Sequence, residues 1–210
     1  MAVNLQPSLF DLAGGNRDTL GDLAGLRRTV LTRGAWVDLL PGWLPGSDPL
    51  FERLVATVPW RAERRQMYDK VVDVPRLLCW YDEHDVLPDP VLAQARQALS
   101  AHYRDELGEP FRTSGLCYYR DGRDSVAWHG DTIGRGSRED VLVAILSLGT
   151  ARRLLLRPRG GGQTRSFALG HGDLLVMGGS CQRTWEHAVP KSAHTVGPRV
   201  SVQFRPRGVA

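Results

Sequence analysis

The chain has 210 residues, 42% of them hydrophobic and 24% charged, with a formal net charge of +4. That suits one domain with a sizeable core. No apolar run approaches the roughly 18 residues a membrane helix needs, and the opening MAVNLQPSLFDLAGG lacks the basic start and apolar block of a secretion signal, so a cytoplasmic protein without a membrane partner is expected.

In chain order, residues 1–30 are rich in Gly, Asp and Leu and weakly periodic. They read as a loosely attached extension, with its boundary drawn at 1–34. Ser47-Asp48-Pro49 predicts a helix start, with Asp48 as cap and Pro49 in the first turn, followed by Leu50, Leu54 and Val55. Asp89-Pro90 repeats the signal. Leu92, Ala95, Leu99 and Tyr103 then recur at helical spacing until Gly108 and Pro110 end the helix.

From residue 115 the pattern changes to strand-like blocks at 115–120, 125–131, 141–148, 152–157, 165–169, 173–178 and 199–205. Asp121-Gly122 and the glycines at 134–136, 160–162 and 170–172 separate them. Many short strands predict a sandwich or barrel, with the helices packed outside it. Cys79, Cys117 and Cys181 are odd in number and form no CxxC, so they read as small buried hydrophobes in a reduced compartment. Positive charge is almost all arginine, Lys70 and Lys191 being the only lysines. It suits a polyanion without establishing one.

Three features carry chemistry. In Trp128-His129-Gly130-Asp131 a strand would turn the imidazole and the carboxylate the same way. His187 follows much later, in Trp185-Glu186-His187-Ala188-Val189-Pro190. Two histidines and a carboxylate on one face of a metal are the donor set of non-haem Fe(II) oxygenases. In the third feature, residues 199–205, Arg199, Ser201, Gln203 and Arg205 share one strand face, with Val200, Val202 and Phe204 on the other. Two arginines facing one cavity call for an anionic partner, and a small diacid suits forked guanidinium recognition.

These segments resemble the AlkB family of Fe(II)- and 2-oxoglutarate-dependent dioxygenases over roughly residues 35–207. The stretch from Tyr119 to Asp131 is similar to the family's tyrosine-to-HxD segment. Asp173-Leu-Leu-Val-Met-Gly-Gly resembles the strand before its distal histidine, and His187-Ala-Val-Pro190 resembles the motif of that histidine. Arg199 to Arg205 resembles its closing RxxxxxR strand, and Pro75-Arg76-Leu77 its upstream PRL segment.

The resemblance implies an α+β, mainly β fold: a double-stranded β-helix (jelly-roll, cupin-like) core over 111–210. The helices and a nucleotide-recognition region would occupy 35–110. It implies Fe(II) on His129, Asp131 and His187, and 2-oxoglutarate on Tyr119, Arg199, Ser201 and Arg205, with O2 as oxidant. Trp60, Tyr68, Arg76 and Tyr81 would meet substrate, and Trp80 would pack in the core. The implied activity is oxidative demethylation of N-alkylated bases in DNA, or RNA, by a monomer in DNA repair, releasing formaldehyde, succinate and CO2. Cys117 and Ser201 stand where the family often has Asn, and Ile133 where many repair members have an acid. Three alternatives stay open: a protein or small-molecule hydroxylase of the same chemistry, a catalytically silent nucleic-acid-binding module, and a zinc hydrolase of cupin type. His84, His102, His171 and His194 read as surface or capping residues.

Overall fold

The computed structural model describes residues 19–67, 70–132 and 134–209, and the backbone alone at 65–67 and 70–73. Tyr68, Ile133 and residues 1–18 of the expected extension lie outside the described residues.

The strands are β1 (Arg27–Val30), β2 (Ala35–Leu40), β3 (Arg61–Met67), β4 (Lys70–Tyr81), β5 (Thr113–Tyr119), β6 (Val126–His129), β7 (Val143–Gly149), β8 (Arg152–Pro158), β9 (Arg165–Leu169), β10 (Asp173–Gly179), β11 (Trp185–Val189) and β12 (Arg199–Arg205). The helices are α1 (Asp48–Thr57), α2 (Pro90–His102) and two single turns, α3 (Arg104–Leu107) and α4 (Cys181–Thr184). No helix among the described residues is long and apolar enough to cross a membrane.

The strands form a major sheet of order β1-β2-β10-β7-β12-β5-β4-β3 and a minor sheet of order β6-β11-β8-β9. Strand pairings among the described residues are antiparallel, as in β12 against β5 and β7 or β11 against β6 and β8. The two sheets face one another in a jelly-roll core, with α1 and α2 on the outside of the major sheet. Side-chain alternation makes both layers at once. Ala144, Leu146 and Leu148 of β7, Leu174 and Val176 of β10, and Val200, Val202 and Phe204 of β12 join Leu50, Leu54, Leu92 and Leu99 in a core under the helices. The intervening Val143, Ile145, Leu175 and Met177 meet Leu154, Leu156 and Trp185 between the sheets. Each such Leu contributes about 1.5–3 kcal/mol of transfer free energy, so the central strands are held from both faces.

Several elements depart from the sequence reading. β1 pairs along β2, and Gly21 N–H donates to the Trp43 carbonyl at 2.6 Å. Residues 19–34 are thus tied to the sheet, not loosely attached. The α1 cap position is Ser47, not Asp48, and its hydroxyl bonds His171 Nε2 at 2.8 Å. His171 Nδ1 accepts from Gly149 N–H at 2.7 Å, so this histidine joins α1 to the end of β7 and is more than a surface group. The second start stands as expected, with the Asp89 carboxylate accepting from Val91 N–H, and Gly108 closes α3 in the left-handed region at φ 65°.

Candidate metal centre and cosubstrate pocket

His129 ends β6 and stands directly across the ladder from His187 of β11, their rings 4.2 Å apart between centroids. Asp131 follows one turn residue later. One ligand atom from each of the three can be chosen so that all lie within 4.8 Å of one another. Gly130 is required at the turn, because a Cβ there would sit 2.6 Å from both Arg159 Nη2 and the Gln182 carbonyl oxygen.

The surroundings hold each ligand ready. His129 Nδ1 lies 2.9 Å from the Ala127 carbonyl. Donation to that oxygen puts the proton on Nδ1 and frees Nε2 for a metal. The Asp131 N–H donates to Gln182 Oε1 at 3.0 Å, and Asp131 Oδ2 accepts from Arg205 Nε at 2.7 Å. Burial pushes His187 down to about 3, with His129 adding to the effect, and burial lowers His129 as well. Burial opposes ionisation of Asp131, but Arg205 and the two imidazoles outweigh it and hold the carboxyl at about 2. At neutral pH the trio therefore presents two neutral imidazoles and one carboxylate, the protonation state a divalent cation needs.

Beside the trio lies a cavity of about 70 Å³, lined among others by Arg76, Cys117, Tyr119, Arg199, Ser201, Gln203 and Arg205. The polar face of β12 points inward as its alternation predicts. Arg199 is only 2% exposed, donates through Nε to Ser147 Oγ at 3.0 Å, and leaves Nη1 buried without a partner. Arg205 Nη1 is buried and unpartnered as well. A buried unsatisfied guanidinium N–H is costly, so the cavity is built for an anion. Tyr119 is buried next to Arg199, its ring centroid 5.3 Å from the guanidinium carbon. Burial, with Cys117 adding to it, pushes its phenol up to about 12, so it stays an O–H donor. Ser201 Oγ accepts from Gln203 Nε2 at 2.6 Å. A divalent ion on the trio and a dicarboxylate against Arg199 fit what is present.

The upstream residues divide by strand parity. Leu78 pairs with Cys117 and Trp80 with Gly115, on the pocket side of β4, and Arg76 shares that side. Arg76 Nη1 donates to the Ser125 carbonyl at 3.2 Å, and its Nε is buried and unpartnered. Trp80, expected in the core, is 46% exposed, with the Arg205 guanidinium 5.6 Å from its ring. Trp60 and Tyr81, expected at the substrate, pack instead against the core under the helices. The Trp60 ring meets Tyr118 at 5.3 Å, and its indole N–H donates to the Val55 carbonyl. Gln182 was missed altogether. No motif spacing marks it, since it reaches Asp131 only through the single turn α4.

The 2OG-Fe(II) oxygenase superfamily profile matches residues 37–205. The alpha-ketoglutarate-dependent dioxygenase alkB homolog 3 of Bos taurus is 32% identical, over 82% of this chain and 68% of its own length. The DNA oxidative demethylase ALKBH2 of Homo sapiens is 26% identical, over 76% of this chain and 68% of its own. In fold, the solved structure of OsALKBH1 superposes with a TM-score of 0.57 at 16% identity, over 84% of this chain and 100% of that one. The chain belongs to the 2OG-Fe(II) oxygenase superfamily and, within it, to the AlkB family. It is a 2-oxoglutarate-dependent dioxygenase that uses Fe(II), 2-oxoglutarate and O2, which removes the silent-module and zinc-hydrolase alternatives.

Proposed function

We propose that this dioxygenase oxidatively demethylates N-alkylated bases in nucleic acid, releasing formaldehyde, succinate and CO2. The observation that carries the reading is the similarity to alkB homolog 3 over most of the chain, taken with a site that retains all three metal donors and both arginines. Bound iron, cosubstrate and dioxygen supply the oxidation of the methyl C–H bond.

The chain's own residues hold and orient. His129, Asp131 and His187 bind the metal, and Arg205 keeps the Asp131 carboxylate ionised. Arg199, Tyr119 and Ser201 take the distal carboxylate of 2-oxoglutarate, and Arg205 Nη1 is free to reach it. The apolar walls, Val143, Ile145, Leu154 and Met177, exclude water from the centre. An alkylated base must leave its stack to approach. In this reading Arg76 and Trp80 meet it at the pocket rim. Residues 35–110 then carry nucleotide recognition and 111–210 the catalytic core, in a monomeric cytoplasmic enzyme.

The test is formaldehyde release from single-stranded oligonucleotides carrying 1-methyladenine or 3-methylcytosine. Release, with succinate formed in step and neither above background on the unmethylated strand, is expected. Succinate formed equally with both strands and no formaldehyde would move the substrate to a protein or small molecule.

A further inference from the structure

Near the cosubstrate pocket a second arginine is buried that the reading above does not use. Arg152, the first residue of β8, is 6% exposed. Its Nη1 donates to the Asp121 carbonyl at 3.1 Å, and its Nη2 to the carbonyls of Asp124 and Pro190 at 2.9 and 2.7 Å. These oxygens belong to the loop entering β6 and to the residue leaving β11, the strands that carry His129 and His187. The carboxylates of Asp121 and Asp124 are engaged by Arg123 and Arg120, at 2.6 and 2.8 Å. None of the ion pairs found among the described residues includes Arg152.

Three carbonyls can be stapled by a neutral amide donor. Burying a permanent cation to do so adds a desolvation cost, which an anion nearby offsets. The direction of that anion is given by Tyr119. The guanidinium carbon of Arg152 is 5.7 Å from the Tyr119 ring centroid and that of Arg199 is 5.3 Å from it, so the ring that lines the cavity is flanked by two buried cations, neither in a close ion pair among the described residues. The Asp121 and Asp124 carboxylates act on Arg152 only at longer range, being engaged by Arg123 and Arg120.

We propose that Arg152 is a positioning residue for the dicarboxylate cosubstrate: it adds a second buried positive charge to that of Arg199, holds Tyr119 against the pocket, and so favours a diacid over a 2-oxo acid with one carboxylate. This rests on the placement of the distal carboxylate at Tyr119 and Arg199 proposed above.

The experiment measures the dissociation constants of 2-oxoglutarate and of 2-oxopentanoate for the full Mn(II)-loaded chain by calorimetry, and takes their ratio. Arg152→Gln keeps donors for the loop and loses the charge. The preference for the diacid should fall about tenfold. Arg152→Lys keeps the charge and should hold the preference within about twofold. A loosened loop would weaken both acids alike and leave the ratio where it was. An unchanged ratio in folded Arg152→Gln, or a lost one in folded Arg152→Lys, overturns the proposal. If the glutamine variant does not fold, the lysine variant decides by the same criterion. A wild-type chain that binds both acids equally removes the carboxylate placement, and the proposal with it. A preference that survives in Arg152→Gln removes only the role of Arg152.

Discussion

Arg199 and Arg205 look equivalent in the sequence, two guanidinium groups on one face of one strand, yet the structure gives them different work. Arg199 keeps a free Nη1 beside Tyr119, whereas Arg205 is drawn onto Asp131 at 2.7 Å. The consequence is a pH dependence of the metal-free protein. With its carboxyl held at about 2 in the fold against roughly 4 when unfolded, Asp131 contributes stability that is present above about pH 4 and is lost as pH falls through 2. His187 acts in the same direction over a higher, overlapping range. It is held neutral down to about 3, so it weakens the fold as pH drops below its ordinary value near 6.5. Arg205→Met removes the cation but not His187. Its acid unfolding midpoint, followed by circular dichroism without metal, should lie about 1 pH unit above that of the wild type. Coincident midpoints would mean that the Arg205–Asp131 pair adds nothing to the fold.

At the level of elements, the edges behave differently from the centre. All four residues of β1 are exposed, and what pins the strand is one buried carboxylate on β2. Asp38 accepts from Arg28 Nε and Nη2 at 2.8 and 2.7 Å and from the Tyr103 hydroxyl at 2.9 Å, and the Arg28 guanidinium lies 3.6 Å over the Trp36 ring. Truncating one partner of a buried charged network costs about 3–5 kcal/mol, and β1 has no apolar anchor to compensate. Asp38→Ala should therefore lower stability by about 3 kcal/mol in urea titrations and abolish amide protection at residues 27–30 before that of β7. Equal protection of β1 in the variant would show that the backbone ladder alone holds it. The same difference explains what could be read in advance. β7, β8, β9, β10 and β12 carry dense apolar or alternating runs and were placed within a few residues. β3, Arg-Ala-Glu-Arg-Arg-Gln-Met, is an edge strand with no apolar face to betray it, and β4 carries Pro75 within its run. β11 spends one of its five residues on the metal, which hides its alternation. Tyr81 turns to the core because parity on β4 is fixed by its pairing with β5, and Trp60, which precedes β3, is drawn under the helices by Tyr118 and the Val55 carbonyl; only the fold reveals either.

For the whole molecule, the site is a junction between the two sheets. β6 and β11 of the minor sheet supply His129 and His187, and β5 and β12 of the major sheet supply Tyr119, Arg199 and Arg205. The metal trio was legible because HxD and a later histidine are a chemical pattern. The link across sheets was not, because it depends on Arg205 meeting Asp131. A metal on the trio and a diacid reaching Arg199 would together tie one sheet to the other, so their effects on unfolding should depend on each other. A ligand that binds only the folded state stabilises by RT ln(1 + [L]/Kd), about 2.7 kcal/mol at a hundredfold excess over Kd. Mn(II) alone should raise the melting temperature, 2-oxoglutarate alone should raise it little, and the two together should exceed the sum of the separate shifts. Arg199→Met should keep the Mn(II) shift and lose the added one, because the minor-sheet ligands are intact while the diacid has lost its partner on β12. Differential scanning fluorimetry of the four ligand states in both chains decides the matter, and purely additive shifts in the wild type would show that metal and cosubstrate do not meet between the sheets.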